Sequence, residues 1–230
     1  MTDGRASART LVLLRHGKAE RPEGIADWER ALTERGHADA VAAGAWLARH
    51  GFRPDVVVCS PARRTRQTWQ AAESGMAGSG PTTSGQAGGG TAWNGTTESG
   101  TARNGTAESG TARNGTAESG TARNGTAESG TAGGPAGTGP KPRVRYEPTV
   151  YAAETADLLD LLRATEPDAR TVLLVAHNPG ISLVSIVLDR AGADREGLRT
   201  SGVVVHRVTG DWADLGTVPA PVTARHTARA

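Results

Sequence analysis

The 230-residue sequence has one cysteine and no apolar run long enough to span a membrane. A single cysteine, Cys59, cannot form a disulfide within the chain, and we therefore expect a cytoplasmic protein. Residues 1–10 are polar and lack the apolar core of a signal peptide. The formal net charge is only +2, and acidic and basic residues are mixed along the chain. This composition indicates neither a nucleic-acid partner nor a membrane surface.

The middle of the chain lacks the residues that build a hydrophobic core. Residues 74–140 contain no Leu, Ile, Val or Phe, and they include the repeat TARNGTAESG, which begins at Thr101, Thr111 and Thr121 after a variant copy at Thr91. Such a segment buries too little apolar surface to offset its conformational entropy, and we interpret it as a disordered low-complexity insert. A β-solenoid is the alternative. The repeat is either an expansion that the fold tolerates or a tether or binding tract.

The remaining sequence suits one compact domain, built from residues 10–73 together with residues 141–218. Residues 1–9 and 219–230 are predicted to be disordered tails. The free-energy cost of closing a loop rises only slowly with its length, so the two flanks can fold together around a long insert.

Three continuous apolar runs in these flanks are typical of strands buried on both faces of a sheet. They lie within residues 11–14 (LVLL), 55–60 (DVVVCS) and 171–176 (TVLLVA). In open α/β sheets, ligands bind at the edge where the carboxyl ends of the parallel strands meet. We therefore expect the side chains that follow the three runs to form one site.

Two of the runs end at a histidine. Arg15, His16 and Gly17 follow the first run, and His177 follows the third. An imidazole can attack phosphorus, a guanidinium can bind two phosphate oxygens, and a glycine lets the backbone approach closely. The tripeptide alone is equally typical of a surface turn, but two histidines at one sheet edge indicate a phosphate site.

The second run leads into a helix that is predicted from Pro61 to about Glu73, because Ser60 suits an N-cap and proline suits the first helical position. Its first two turns contain Arg63, Arg64 and Arg66. Cations are unfavourable at the positive end of a helix unless an anion lies among them, so this cluster also favours phosphate. Three further helices are predicted, one ending at His50, one over residues 151–163 and one starting at Pro179.

Three segments resemble the signatures of the histidine phosphatase superfamily, namely RHG at 15–17, SPARRTRQT at 60–68 and VAHNPG at 175–180. Residues 30–33 (RALT), the Tyr151 helix and a strand expected at Trp212 are similar to the SixA-type phosphohistidine phosphatase branch. The resemblance implies an α/β fold, a three-layer α/β/α sandwich with a mainly parallel central sheet. It also implies a phosphatase that cleaves a phosphomonoester or phosphoramidate through a phosphohistidine intermediate, with no metal or other cofactor.

The same resemblance implies catalytic roles for four residues and substrate contacts for three. His16 is expected to be the nucleophile, and the phosphate pocket around it is expected to contain Arg15, Arg64 and His177. The expected substrate contacts are Gly17, Arg30 and Asn178. Cationic and hydrogen-bonding side chains around a phosphoryl group stabilise the charge of its transition state.

The acid that protonates the leaving group is the least defined part of the site. Members of the superfamily that carry the acid directly after the second histidine have Asp there, whereas this chain has Asn178. Glu147 and Glu154 lie in the region where other members carry their acid, and both stay candidates. An imidazole leaving group, as in phosphohistidine, reduces the need for a strong acid.

Several alternatives remain open at this point. A cysteine-dependent phosphatase needs Arg six positions after its cysteine, but Thr65 occupies that position relative to Cys59. A phosphoglycerate mutase is possible on the same fold, although the longer signature of that subgroup is absent. A non-catalytic module that binds a phosphorylated ligand is the alternative from another functional class. The substrate is expected to be a phosphorylated protein carrying phosphohistidine or a small phosphorylated metabolite, and the oligomeric state is open.

Overall fold

The structure is a computed structural model, and it describes residues 8–78 and 140–228. These residues belong to one compact unit. Most of the predicted insert, including every copy of the repeat, lies outside the described residues.

A six-stranded sheet runs through the centre of the unit in the order β3-β2-β4-β1-β5-β6. Strands β1 to β4 are mutually parallel where they pair, whereas β5 pairs antiparallel with β1 and β6 pairs antiparallel with β5. The prediction of a mainly parallel sheet is therefore confirmed. The strands are β1 (Arg9–Arg15), β2 (Val56–Cys59), β3 (Arg143–Tyr146), β4 (Thr171–Ala176), β5 (Gly202–Val208) and β6 (Val222–Thr227).

Helices cover both faces of the sheet, which confirms the three-layer arrangement. The α-helices are α1 (Glu34–Arg49), α2 (Arg63–Gly78), α3 (Thr155–Arg163) and α4 (Gly180–Leu188). Alternate residues of each buried strand face opposite layers. Val12 and Leu14 pack in one apolar cluster with α1 and α2, whereas Leu11 and Leu13 pack in the other with α3 and α4. Short 3₁₀ helices lie at Asp27–Glu29, Pro148–Tyr151 and Trp212–Asp214.

Helices α1 and α2 cross at very short distance because two glycines lie at the contact. A Cβ atom on Gly44 would stand 1.9 Å from the carbonyl oxygen of Ala72, and one on Gly75 would stand 2.1 Å from the carbonyl oxygen of Val41. No side chain fits in that space, so the crossing depends on both glycines. The contact fixes α2, whose first turn carries Arg64, against α1.

The C-terminal tail that we predicted to be disordered, residues 219–230, contains a strand. Its six residues, Val222–Thr227, pair with β5 at the edge of the sheet. Exposed and partly buried residues alternate along β6, and only Val222 and Ala224 are apolar. The strand therefore has no continuous apolar run and is held by backbone pairing, which a composition argument cannot detect.

Other predicted boundaries also need correction. Helix α2 continues to Gly78, five residues beyond Glu73, so the predicted insert starts too early. The segment at Trp212 is a 3₁₀ helix and not a strand; its buried indole donates a hydrogen bond to the carbonyl of Ala169. Strand β1 already begins at Arg9, inside the predicted N-terminal tail.

The predicted helix over residues 151–163 is divided. Residues Pro148–Tyr151 form a 3₁₀ helix, and α3 begins only at Thr155. Within the two ranges that the structure describes, no helix has both the length and the apolar character needed to cross a membrane.

Candidate active site

The two histidines predicted to share a sheet edge lie side by side. Strands β1 and β4 pair in parallel with Arg15 opposite Ala176, so the residues that follow, His16 and His177, leave the sheet together. Their ring centroids are 5.1 Å apart and the ring planes are inclined by 54°. The parallel register therefore creates the pair.

His16 is held in one tautomer by its own backbone neighbour. Its Nδ1 lies 2.8 Å from the carbonyl oxygen of Gly17, which can only accept a hydrogen bond, so Nδ1 carries the proton. Nε2 then carries the free electron pair. Burial, followed by the positive charges of Arg64, Arg15 and Arg30, lowers the pKa of His16 to about 4. The ring is consequently neutral and nucleophilic at pH 7.

His177 is held in the opposite tautomer. An Arg64 amino group (Nη2) lies 3.3 Å from its Nδ1 and can only donate, so Nδ1 accepts. Nε2 therefore carries the proton and donates to the Ser60 hydroxyl at 2.8 Å. Burial, followed by the repulsion that a protonated His16 and Arg64 would exert on a second positive charge, lowers the pKa of His177 to about 3. Both rings are thus neutral, and their tautomers are complementary.

Arg64 enters the site from the first turn of α2 and is nearly buried, with 8% of its side chain exposed. In addition to its contact with His177, Arg64 donates to Asp27 from both amino groups. Nη1 lies 2.6 Å from the backbone carbonyl of Asp27, and Nη2 lies 2.9 Å from Oδ2 of its carboxylate. Its guanidinium carbon lies 5.8 Å from the centre of the Tyr151 ring. Arg64 is therefore ordered by contacts on several sides.

Asp27 and Tyr151 are site residues that the sequence reasoning missed. The Tyr151 hydroxyl donates to Oδ2 of Asp27 at 2.8 Å, and its ring contacts His177 edge-on at a centroid distance of 5.6 Å. The hydrogen bond from Tyr151, then those from Arg30 and Arg64 and the charge of Arg64, hold the pKa of Asp27 well below its usual range. Neither residue follows an apolar strand, and no spacing in the sequence marks them. Only the fold brings them to Arg64.

Arg15 and Arg30 lie on the same side of the site. Nη1 of Arg15 donates to the carbonyl of Leu198 at 2.7 Å, while its buried Nε has no partner within the described part of the chain. Burial lowers the pKa of Arg15. Arg30 donates from Nε to the carbonyl of Glu20 at 2.6 Å and from Nη1 to Oδ1 of Asp27 at 2.5 Å. The structure thus brings together Arg15, His16, Arg30, Arg64 and His177.

The other two expected substrate contacts have structural partners. A Cβ on Gly17 would lie 2.6 Å from the carbonyl oxygen of Gly36, so this glycine permits close packing against the start of α1. The Asn178 amide donates to the carbonyl of Leu198 at 3.0 Å and accepts from the Ser182 hydroxyl at 2.6 Å. Asn178 therefore anchors the loop that also holds Arg15.

Neither candidate for the general acid reaches the paired histidines. Glu147 accepts hydrogen bonds from Arg145 at 3.1 and 3.2 Å. Glu154 precedes α3 and lines a cavity of 510 Å³ with Pro179 and Leu183. In the described ranges, no hydrogen bond or ion pair joins either carboxylate to His16, His177 or Arg64.

Cys59 lies at the end of β2 and is completely buried. Burial raises the pKa of its thiol to about 12, which leaves it protonated and unreactive. Among the residues with described positions, no cluster of three or more His, Cys, Asp or Glu side chains could hold a metal ion.

Comparison with known proteins agrees with this geometry. Residues 11–83, which contain most of β1 and all of α1, β2 and α2, match the family model of the histidine phosphatase superfamily, branch 1. The structure of a putative phosphohistidine phosphatase SixA from Nakamurella multipartitia superposes with a TM-score of 0.62 and 27% sequence identity, covering 98% of this chain and 99% of that one. The fold of a putative SixA from Agrobacterium tumefaciens is also similar, at 19% identity and a TM-score of 0.58.

Two sequence relatives match the chain over different lengths. An uncharacterised protein of Mycobacterium tuberculosis is 27% identical over 224 residues, which cover 94% of this chain and all of that protein. A 2,3-bisphosphoglycerate-dependent phosphoglycerate mutase of Bartonella tribocorum is 42% identical over 65 residues, or 27% of this chain and 32% of the mutase.

The sheet order, the two neutral histidines and the arginines around them agree with a phosphatase site on an α/β/α sandwich, and the chain is similar to the histidine phosphatase superfamily, branch 1, over residues 11–83. Over nearly its whole length the chain is SixA-like, which agrees with the resemblance inferred from residues 30–33, the Tyr151 helix and the segment at Trp212.

Proposed function

We propose that this protein hydrolyses a phosphorylated substrate through a covalent phosphoryl group on His16. The observation that carries the proposal is the state of that imidazole. Its Nδ1 proton is bound by the Gly17 carbonyl, its Nε2 is free, and the ring is neutral at physiological pH. A neutral, oriented imidazole beside buried guanidinium groups is a nucleophile ready for phosphorus.

In the first step, the electron pair of His16 Nε2 forms a bond to phosphorus while the bond from phosphorus to the leaving group breaks. The leaving group takes the electron pair of the broken bond. The phosphorylated ring then carries a positive charge, which the Gly17 carbonyl stabilises through the Nδ1 proton. In the second step, water attacks phosphorus and the bond from phosphorus to Nε2 breaks. Inorganic phosphate leaves, and the His16 ring is neutral again.

The negative charge of the phosphoryl group in the transition state is stabilised by the surrounding hydrogen-bond donors. Arg64 lies beside His177, and Arg15 directly precedes His16 in the chain. Because these groups are partly or fully buried, each hydrogen bond to the transition state is stronger than it is in water. Removing one such donor costs roughly 100- to 1000-fold in turnover in other enzymes.

For the substrate we propose a phosphohistidine on a protein. Glu147 is bound by Arg145, Glu154 lines a cavity without the paired histidines, and Asp27 is held ionised, so neither candidate nor Asp27 is placed as a strong acid. An imidazole, whose ordinary pKa is about 6.5, leaves phosphorus with little help from an acid, whereas an alkoxide does not. The similarity to a putative SixA phosphohistidine phosphatase supports the same choice.

The test compares wild type with His16→Ala on a phosphohistidine protein and on p-nitrophenyl phosphate. His37→Ala is the matched control, because His37 is an exposed histidine on α1. We expect phosphate release from the phosphohistidine protein, lost only in His16→Ala, together with an acid-labile phosphoryl group trapped on His16. Turnover of the small ester alone would keep the mechanism but replace the protein by a small metabolite. No turnover and no labelled His16 would refute the proposal and favour a phosphate-binding module.

A further inference from the structure

Asp27 forms hydrogen bonds with three side chains of the candidate site, although the proposed reaction gives it no role. Its two carboxylate oxygens have different partners, Arg30 at Oδ1 and both Arg64 and Tyr151 at Oδ2. Its backbone carbonyl binds the other amino group of Arg64 at 2.6 Å. Arg30, Arg64 and Tyr151 come from three separate parts of the chain, and Asp27 is the residue that all three contact.

The contacts counter a repulsion that the site would otherwise contain. Arg30 and Arg64 bind the two oxygens of one carboxylate, with an amino nitrogen of each within 2.9 Å of it, so their guanidinium groups are close neighbours. Two like charges at that distance repel, most strongly where water is excluded. The side chains of Arg30 and Arg64 are only 19% and 8% exposed, so solvent screens them weakly. A negative charge between them lets both remain there before a phosphoryl group arrives.

Asp27 also leaves part of Arg64 available. The carboxylate and the carbonyl bind the outer amino groups, while His177 receives a second hydrogen bond from Nη2. A guanidinium has five N–H donors. The donors that Asp27 does not use include Nε, on the side of the group nearer the helix.

We propose that Asp27 is a positioning residue of the phosphatase reaction, which holds Arg64 and Arg30 in their phosphate-binding positions in the empty site. The proposal rests on the proposed function for its kinetic consequence. Tyr151 completes the arrangement by donating its hydroxyl proton to the same carboxylate. In the opposite role, Asp27 would be a competing anion that phosphate must displace from the arginines. Removing its charge would then strengthen phosphate binding, whereas removing a positioning residue weakens it.

The experiment uses Asp27→Asn, with Glu23→Gln as the matched control. Glu23 lies exposed in the same loop, so this change removes an equal charge four residues away. Three quantities are measured on the full-length chain, namely kcat and KM for p-nitrophenyl phosphate, the Kd for inorganic phosphate by titration calorimetry, and the ¹⁵N chemical shifts of the His177 ring. Thermal unfolding shows whether each variant is folded.

For Asp27→Asn we expect kcat/KM to fall by roughly 10- to 100-fold, the range of one or two charge-assisted hydrogen bonds. Phosphate should bind more weakly, and the ¹⁵N shifts of His177 should move toward a mixture of tautomers, because Arg64 no longer fixes Nδ1 as the acceptor. A smaller loss in Tyr151→Phe supports the same arrangement. Glu23→Gln should change none of the three by more than about twofold, since exposed charges interact weakly.

Tighter phosphate binding by Asp27→Asn would overturn the proposal in favour of the competing anion, and unchanged values in all three measurements would overturn it outright. Failure of the proposed function is a separate result. If His16 is never phosphorylated in the wild type, the phosphate affinity and the His177 spectrum still decide whether Asp27 positions Arg64.

Discussion

Acid should weaken the folded state of this protein, and His16 should account for a measurable part of that loss. Its pKa is about 4 in the folded chain, mainly because the ring is buried, and about 6.5 in an unfolded chain. Between these values the unfolded state binds a proton that the folded state does not. The free energy of unfolding therefore increases with pH in this window and decreases as pH falls.

The size of the effect follows from the two pKa values. At pH 7 the ring is mostly neutral in both states, so its contribution is close to zero. At pH 5 the unfolded ring is protonated and the folded ring is largely neutral, which costs about 2 kcal/mol of stability relative to pH 7. The full difference of about 3 kcal/mol is reached only below pH 4, where the folded ring is protonated as well.

The assay is urea denaturation of wild type and His16→Asn at pH 7, 6 and 5. The substitution removes the titrating ring and leaves every other group in place, so the difference between the two curves isolates His16. We expect wild type to lose about 2 kcal/mol more than the variant between pH 7 and pH 5. Parallel losses in the two proteins would refute the reasoning, because they would mean that the folded ring is protonated as easily as the unfolded one.

Two further predictions concern packing. Gly44→Ala should lower the free energy of unfolding by about 2 kcal/mol or more in the same urea experiment, because the new Cβ meets the Ala72 carbonyl. Gly78→Ala is the control on α2, because a Cβ there meets nothing within 4 Å, and it should be neutral or slightly stabilising. Cys59 should resist iodoacetamide in the native protein and react in urea, and Cys59→Ala should retain phosphatase activity; an inactive but folded Cys59→Ala would contradict the histidine mechanism.

Much of the candidate site could be predicted because it follows buried strands. The apolar runs that end before His16 and His177 identify their own strands, and parallel pairing then places the two residues together. Arg64 was predictable for a related reason, since Ser60 and Pro61 mark the start of α2 and the arginine falls in its first turn. In each case a local pattern determines where the side chain emerges.

Asp27, Tyr151 and β6 could not be predicted in this way. Asp27 begins a short 3₁₀ helix between β1 and α1, and its contact with Tyr151 spans 124 positions of the chain, so no local pattern records it. Glu147 and Glu154 were expected near the site from their positions in the chain, but the fold brings neither carboxylate to the paired histidines. Strand β6 has few apolar residues and exists through its pairing with β5.

By itself, the sequence determined the strand-end chemistry of this protein: which residues leave the sheet at its ligand-binding edge, and the family that their spacing indicates. Burial in parallel strands requires continuous apolar runs, and such runs are visible in the letters. Only the tertiary structure decided the protonation states of the two histidines and the partners of the arginines. Those properties depend on desolvation and on charges brought together from distant segments, and neither exists until the chain has folded.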